Sequence, residues 1–176
     1  DTQWEWIELI NRTGVTVILS TLQDADRSSS QIGNLASKRT IPANGIMVVA
    51  KGDPITGDVA WRTGAAFLSA WAPLTDAQVI WVPANKWPTL GNTGGTLLLF
   101  EAGGALMDVV QYGSDADGWP QSAVLNGSES LHVNCTGLTA AGNDAPAGWV
   151  LSQVGVAGAW SNPRDVGSPG VVVRCS

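Results

Sequence analysis

One histidine, two cysteines and a scatter of carboxylates are the residues of this 176-residue chain from which chemistry could be built. A hydrolytic serine needs a positioned base, and the sole histidine, His132, has no G-x-S-x-G element beside it or elsewhere. His132 and Cys135 stand three apart on a predicted strand, so they face opposite sides and do not converge on one metal. No glycine-rich loop ends in the Lys-Ser/Thr pair that cradles phosphates. Asp115-Ala116-Asp117-Gly118 opens like a calcium loop but lacks further oxygen ligands and a closing Glu at the right spacing. Asp24-Ala25-Asp26 repeats the spelling, and both read as Asp-rich turns. Glu8 falls between large apolar neighbours of a strand and reads as a partly buried carboxylate held by hydrogen bonds. The expectation is a chain with no catalytic residues, no metal and no cofactor.

Tryptophan is the next candidate. Nine Trp accompany one Tyr and two Phe. An exposed indole face complements the C–H face of a pyranose, whereas a buried one is core bulk. Core bulk is the leading reading of the set; Trp61, Trp71 and Trp87, in the least regular stretch, are the best candidates for exposed glycan-stacking faces. Three N-x-[ST] sequons, at Asn11, Asn126 and Asn134, are possible N-glycosylation acceptors. Cys135 and Cys175 are either two buried thiols or one disulfide in an oxidising compartment. The place of Cys175 at the chain end favours the disulfide, which on the chain-entropy model contributes about 4 kcal/mol.

These residues must be positioned by strands. Twenty-one Gly and nine Pro interrupt the chain often, which suits many short strands. The length suits one domain spanning residues 1–176. Charged residues are 14%, below the roughly 25% of ordinary soluble domains. A net charge of -6 with no basic cluster offers little to a phosphate backbone, so nucleic acid is not an expected partner. No apolar run reaches the roughly 18 residues that span a bilayer. A start at Asp1 without a leader is read as a mature secreted protein or an excised domain.

The pattern predicts strands over 4–10, 15–19, 46–50, 78–82, 130–135, 148–151 and 171–175, with a polar loop over 22–30 and another loop over 158–169. At the centre, Thr96 to Phe100 and Leu106 to Tyr112 flank the turn Glu101 to Gly104. This hairpin is apolar enough to be expected in a core. Residues 65–72 read as a helical turn or two, inside an irregular insertion at about 55–90.

Several segments taken in order resemble the lamin tail domain family, an immunoglobulin-like module also found in secreted bacterial proteins. They are Glu5-Trp6-Ile7-Glu8-Leu9 with Asn11, Ile41-Pro42-Ala43-Asn44-Gly45 before a strand, and Leu90 through Leu99. Leu106-Met107-Asp108, Tyr112-Gly113, Gly118-Trp119-Pro120, Ser130-Leu131, Trp149 and Ser168-Pro169-Gly170 complete the set. The resemblance implies an all-β, immunoglobulin-like β-sandwich of two mostly antiparallel sheets, a structural or interaction module with no catalytic residues to carry over. It is expected outside the cell or at its surface, with itself or another surface protein as partner. Nuclear members of the family are associated with DNA, which the acidic balance here disfavours. Carbohydrate binding through exposed Trp is the alternative function.

Two departures from the family pattern shape a further expectation. The strand that usually precedes E-W-I-E-L is absent, and Val171 to Ser176 are added after S-P-G. An open sheet edge is a template for another strand. Val171, Val172 and Val173 are therefore expected to fill the vacant edge, within their own chain or in a neighbour, where donation would build an oligomer or filament.

Overall fold

The structure is a computed structural model that describes residues 5–25, 27–30, 40–52, 64–83, 86–88, 90, 94–114, 117–120, 129–156, 158–161 and 165–171. β1 (Trp6–Ile10) runs antiparallel to β5 (Ile46–Lys51), with Glu8 opposite Val48. β5 runs parallel to β6 (Val79–Val82), giving a three-stranded sheet in the order β1-β5-β6. A second sheet is built on β2 (Val17–Asp24), which pairs with β3 (Arg27–Ser30) and β4 (Thr40–Ile41). Across its other edge β2 pairs with β7 (Gly95–Glu101), and β7 with β8 (Leu106–Tyr112), all antiparallel. Two short antiparallel pairs complete the chain: β9 (Leu131–Val133) with β10 (Trp149–Leu151), and β11 (Trp160–Ser161) with β12 (Val166–Gly167). The described architecture is all-β apart from one short helix, α1 (Gly64–Ala70), and a few single 3₁₀ turns.

Alternation along the first sheet sends its side chains into two different cores. Met47, Val49, Ile80 and Val82, with Ile7 and Leu9 behind them, meet Leu19, Leu22 and Leu99 of the second sheet. Val48, Ala50, Val79 and Trp81 point the other way and are covered by Phe67, Trp71 and Leu74, from α1 and the turn after it. Strands buried on both faces read as continuous apolar runs rather than alternating ones. That is why IMVVA and VIWV contain no polar residue. The expected insertion at 55–90 is thus partly structural: its described residues supply both the strand β6 and the cover over the outer face.

The turn into β5 follows its local chemistry. Asn44 takes a positive φ of 54° and Gly45 N–H donates to the Pro42 carbonyl at 2.9 Å. Asparagine and glycine are the residues that tolerate such turns.

Three expectations need correction. The polar stretch 22–30 is not a loop: β2 continues to Asp24 and β3 folds back against it. Ladder bonds come from the backbone, so polar side chains do not prevent a strand although they obscure it in the sequence. The stretch 158–169 likewise contains β11 and β12. The central hairpin forms, its first strand one residue longer at each end than expected, but not in the deepest core. No side chain of β7 or β8 is fully buried, and Leu106 and Met107 are exposed. Among the described strands β8 ends its sheet, and of β7 and β8 only Leu99 packs against a core cluster.

Ile80→Ala is expected to lower unfolding stability by about 2–5 kcal/mol, whereas Val154→Ala, at an exposed position, should stay within about 0.5 kcal/mol; urea midpoints compare the two.

Candidate functional site

The closing segment 165–171 brings several separate elements together. Val166 pairs with Ser161 of β11 and accepts from the Ser130 N–H at 2.9 Å. Gly167 then passes so close to the first sheet that a Cβ there would lie 2.9 Å from Ser130 Oγ, 3.1 Å from Trp6 Cζ2 and 3.3 Å from Trp71 Cη2. Ser168 and Pro169 are buried. Gly170 adopts φ 82°, where a Cβ would also meet Leu74 Cδ1 at 2.6 Å, so both the backbone angle and the space call for glycine. Its N–H donates to Glu8 Oε2 at 2.6 Å, and the Val171 N–H turns back to the Ser168 carbonyl at 3.1 Å. Val171 lies against Gly158.

Glu8 shares its face of β1 with Trp6, whose ring meets Trp71 edge-on at 6.1 Å. Burial disfavours the charged form and pushes the carboxyl up to about 7, against the pull of the Gly170 hydrogen bond, which favours ionisation. The sequence-based expectation of a buried, hydrogen-bonded carboxylate matches this geometry. A second carboxylate, Asp108 of β8, is raised by burial and accepts from Asn143 Nδ2 at 2.8 Å. The Asn143 carbonyl accepts from Trp149 Nε1 at 2.7 Å, so Asp108, Asn143 and Trp149 link the hairpin to β10.

The search for chemistry by motif missed one arrangement. His132 Nδ1 lies 3.1 Å from Ser152 Oγ, which lies 2.8 Å from Ser130 Oγ. Ser130 and His132 are two apart at the start of a strand, which places them on one face. That spacing was the available signal. Ser152 comes from the residue just after the antiparallel partner strand β10, which no local motif marks. Burial lowers the His132 pKa, favouring the neutral imidazole. Ser152 is 2% exposed and the Gly167 backbone closes over Ser130 Oγ. The hydroxyls therefore face protein rather than an open cleft, and the chain of bonds braces β9, β10 and the closing segment.

The remaining expected site residues fall as follows. Trp71 and Trp87 are 1% and 7% exposed, so neither is the stacking platform for which it was a candidate. Trp71 covers the outer face of the first sheet, and Trp87 fills the core between the sheets, because those two faces need bulk that their strands do not supply. Trp61 lies outside the described residues.

Asn11 is buried, and its Nδ2 donates to the carbonyls of Val15, Ile41 and Pro42 at 2.7, 3.1 and 2.9 Å. Its Oδ1 accepts from the Thr13 N–H and hydroxyl. Asn134 repeats the arrangement, with Nδ2 on the Ala147 carbonyl and Oδ1 on Thr136 and Gly137. At both positions the N-x-T spelling coincides with side-chain-to-backbone turns. Asn126 lies outside the described residues.

Cys135 opens a single 3₁₀ turn, while Cys175, Val172 and Val173 lie outside the described residues. So do Asp26 and Asp115. Asp117 accepts from the Ser114 N–H and hydroxyl as an Asp-turn, and Asp24 is buried on β2. Among the described residues no three His, Cys, Asp or Glu side chains gather as metal ligands, and no helix is long and apolar enough to cross a membrane.

Comparison with family models, with curated proteins and with solved structures finds no match to this chain.

Asn11→Ala should lower stability by about 1–3 kcal/mol, because buried carbonyls lose their donor. Gly170→Ala should cost about 1–3 kcal/mol through its left-handed φ and the Leu74 contact. Urea unfolding of each variant measures both.

Proposed function

We propose that this chain is a non-catalytic structural and interaction module, a lamin-tail-like domain closed as an immunoglobulin-like sandwich and acting outside the cell or at its surface. The observation that carries the reading is the Gly170 N–H seated on Glu8 at 2.6 Å, which joins the first strand to the last described segment of the same chain. Support for the sandwich comes from the cluster in which Met47, Val49, Ile80 and Val82 meet Leu19, Leu22 and Leu99 across two sheets. The closing segment approaches β1, which ends its sheet among the described strands. An edge of that kind is what the proposed strand completion by Val171, Val172 and Val173 requires; Val172 and Val173 lie outside the described residues. The Cys135–Cys175 disulfide then holds the tail; no described cysteine is a free thiol, which favours that pairing. The carbohydrate-binding alternative loses two of its three platforms, since Trp71 and Trp87 are buried.

Closure within one chain predicts a monomer whose stability depends on the tail. Size-exclusion chromatography with light scattering, under oxidising and reducing conditions, should give one monomeric mass in both. Removal of residues 172–176 should lower the urea midpoint without creating oligomers. A concentration-dependent dimer or filament of the full chain that dissolves on truncation would instead establish donation between chains.

A further inference from the structure

Glu8 and Gly170 stand 162 positions apart and meet through one short hydrogen bond. The segment that supplies the N–H also supplies the cover: Ser168 and Pro169 are buried, Gly167 presses on Trp6 and Trp71, and Gly170 presses on Leu74. The carboxyl is therefore dry only while this segment stays seated.

Few charges surround it among the described residues. β1 and β5 bring Glu5 and Lys51, which pair with each other at 2.9 Å. α1 and β6 bring none. The turn before β6 brings Asp76, whose carboxylate accepts from Trp81 Nε1 at 3.0 Å. The β9 side brings Glu129 and His132, and the closing segment itself brings Asp165. Burial and the Gly170 N–H are the two influences that set the ionisation of Glu8.

We propose that Glu8 and the 168–171 segment form a proton-operated latch, seated while the carboxyl is neutral and released when it ionises. An ionised carboxylate in a dry, largely apolar site recovers its hydration only if the cover lifts, and lifting costs the Gly170 hydrogen bond. The sign follows from linkage. The seated state holds its proton up to about pH 7, whereas a solvated glutamate releases it near 4.5. Between those values the seated state binds more protons than the released one, so seating is strongest at the acid end and weakens as pH rises through 7. Above that the dependence levels off. The released fraction should grow by about 50-fold between pH 5 and pH 7.5. The latch does not depend on where residues 172–176 lie, so it stands or falls apart from the proposed role of the tail.

Amide hydrogen exchange of Gly170 and Val171, corrected for the intrinsic pH dependence of exchange, measures the release. Wild-type protection at these two amides should fall by about 50-fold from pH 5 to pH 7.5, and should remain lower than that of Val48 and Val49 in β5. Glu8→Gln keeps an acceptor for the Gly170 N–H but cannot ionise, and its protection should be flat. Asp108 and His132 stay titratable in that variant, so any dependence that they cause survives it. Equal pH dependence in wild type and variant overturns the latch, as does a wild-type profile that is flat. Protection at Gly170 matching that of β5 at every pH means whole-domain unfolding and also overturns it. Should Glu8→Gln fail to fold, the ¹³C carboxyl shift of Glu8 decides: a midpoint near 7 supports the latch, and one below 5.5 ends it.

Discussion

The first sheet has to be kept dry on both faces, and most of the described structure answers that requirement. β5 and β6 carry no polar side chain from Ile46 to Ala50 or from Val79 to Val82, so neither face can be left to water. One face is covered by the second sheet, through Leu19, Leu22 and Leu99. The other is covered by Phe67, Trp71 and Leu74. Aromatic side chains suit this task because each removes a large apolar area from water. Phe67 stands edge-on to Trp81 at 5.5 Å, and Trp71 does the same to Trp6. Trp71 and Trp87 are spent on these two cores, which is why neither offers an exposed stacking face.

The same requirement explains the oddest residue in the chain. Glu8 lies on the outer face of an edge strand, where the cover from α1 gives way to the closing segment. A carboxyl at that seam is held by one N–H and shielded by glycine backbone on either side of Ser168-Pro169. Ser130, His132 and Ser152 lie at the same seam, and their hydrogen bonds brace it from the β9–β10 side. Of the three, Ser152 is buried and Gly167 lies over Ser130, so these side chains tie backbone segments together at the seam.

Local chemistry made part of this legible in advance. The Asn44-Gly45 turn, the strand after it, the hairpin at residues 95–112 and the buried character of Glu8 all follow from residues close together in the chain. What escaped was decided by partners far away. β3 is polar and exists because β2 offers it a ladder. The hairpin β7–β8 looked like core by composition, yet its depth depends on which strands lie beside it, and β8 has a described partner on one side alone. The carbonyls that claim the Asn11 and Asn134 Nδ2 atoms include ones 31 and 13 residues away, which the N-x-T spelling does not reveal. The His132–Ser152 contact depends on strand register, and spacing along one strand does not reveal it.

The central claim is that the last described segment seals the first sheet of its own chain. Nuclear Overhauser contacts between the Gly167 α-protons and the indole protons of Trp6 and Trp71 test it, in a mixture of isotope-labelled and unlabelled protein. The account predicts contacts arising within single molecules. Contacts seen only between labelled and unlabelled molecules, or none at all, would contradict it.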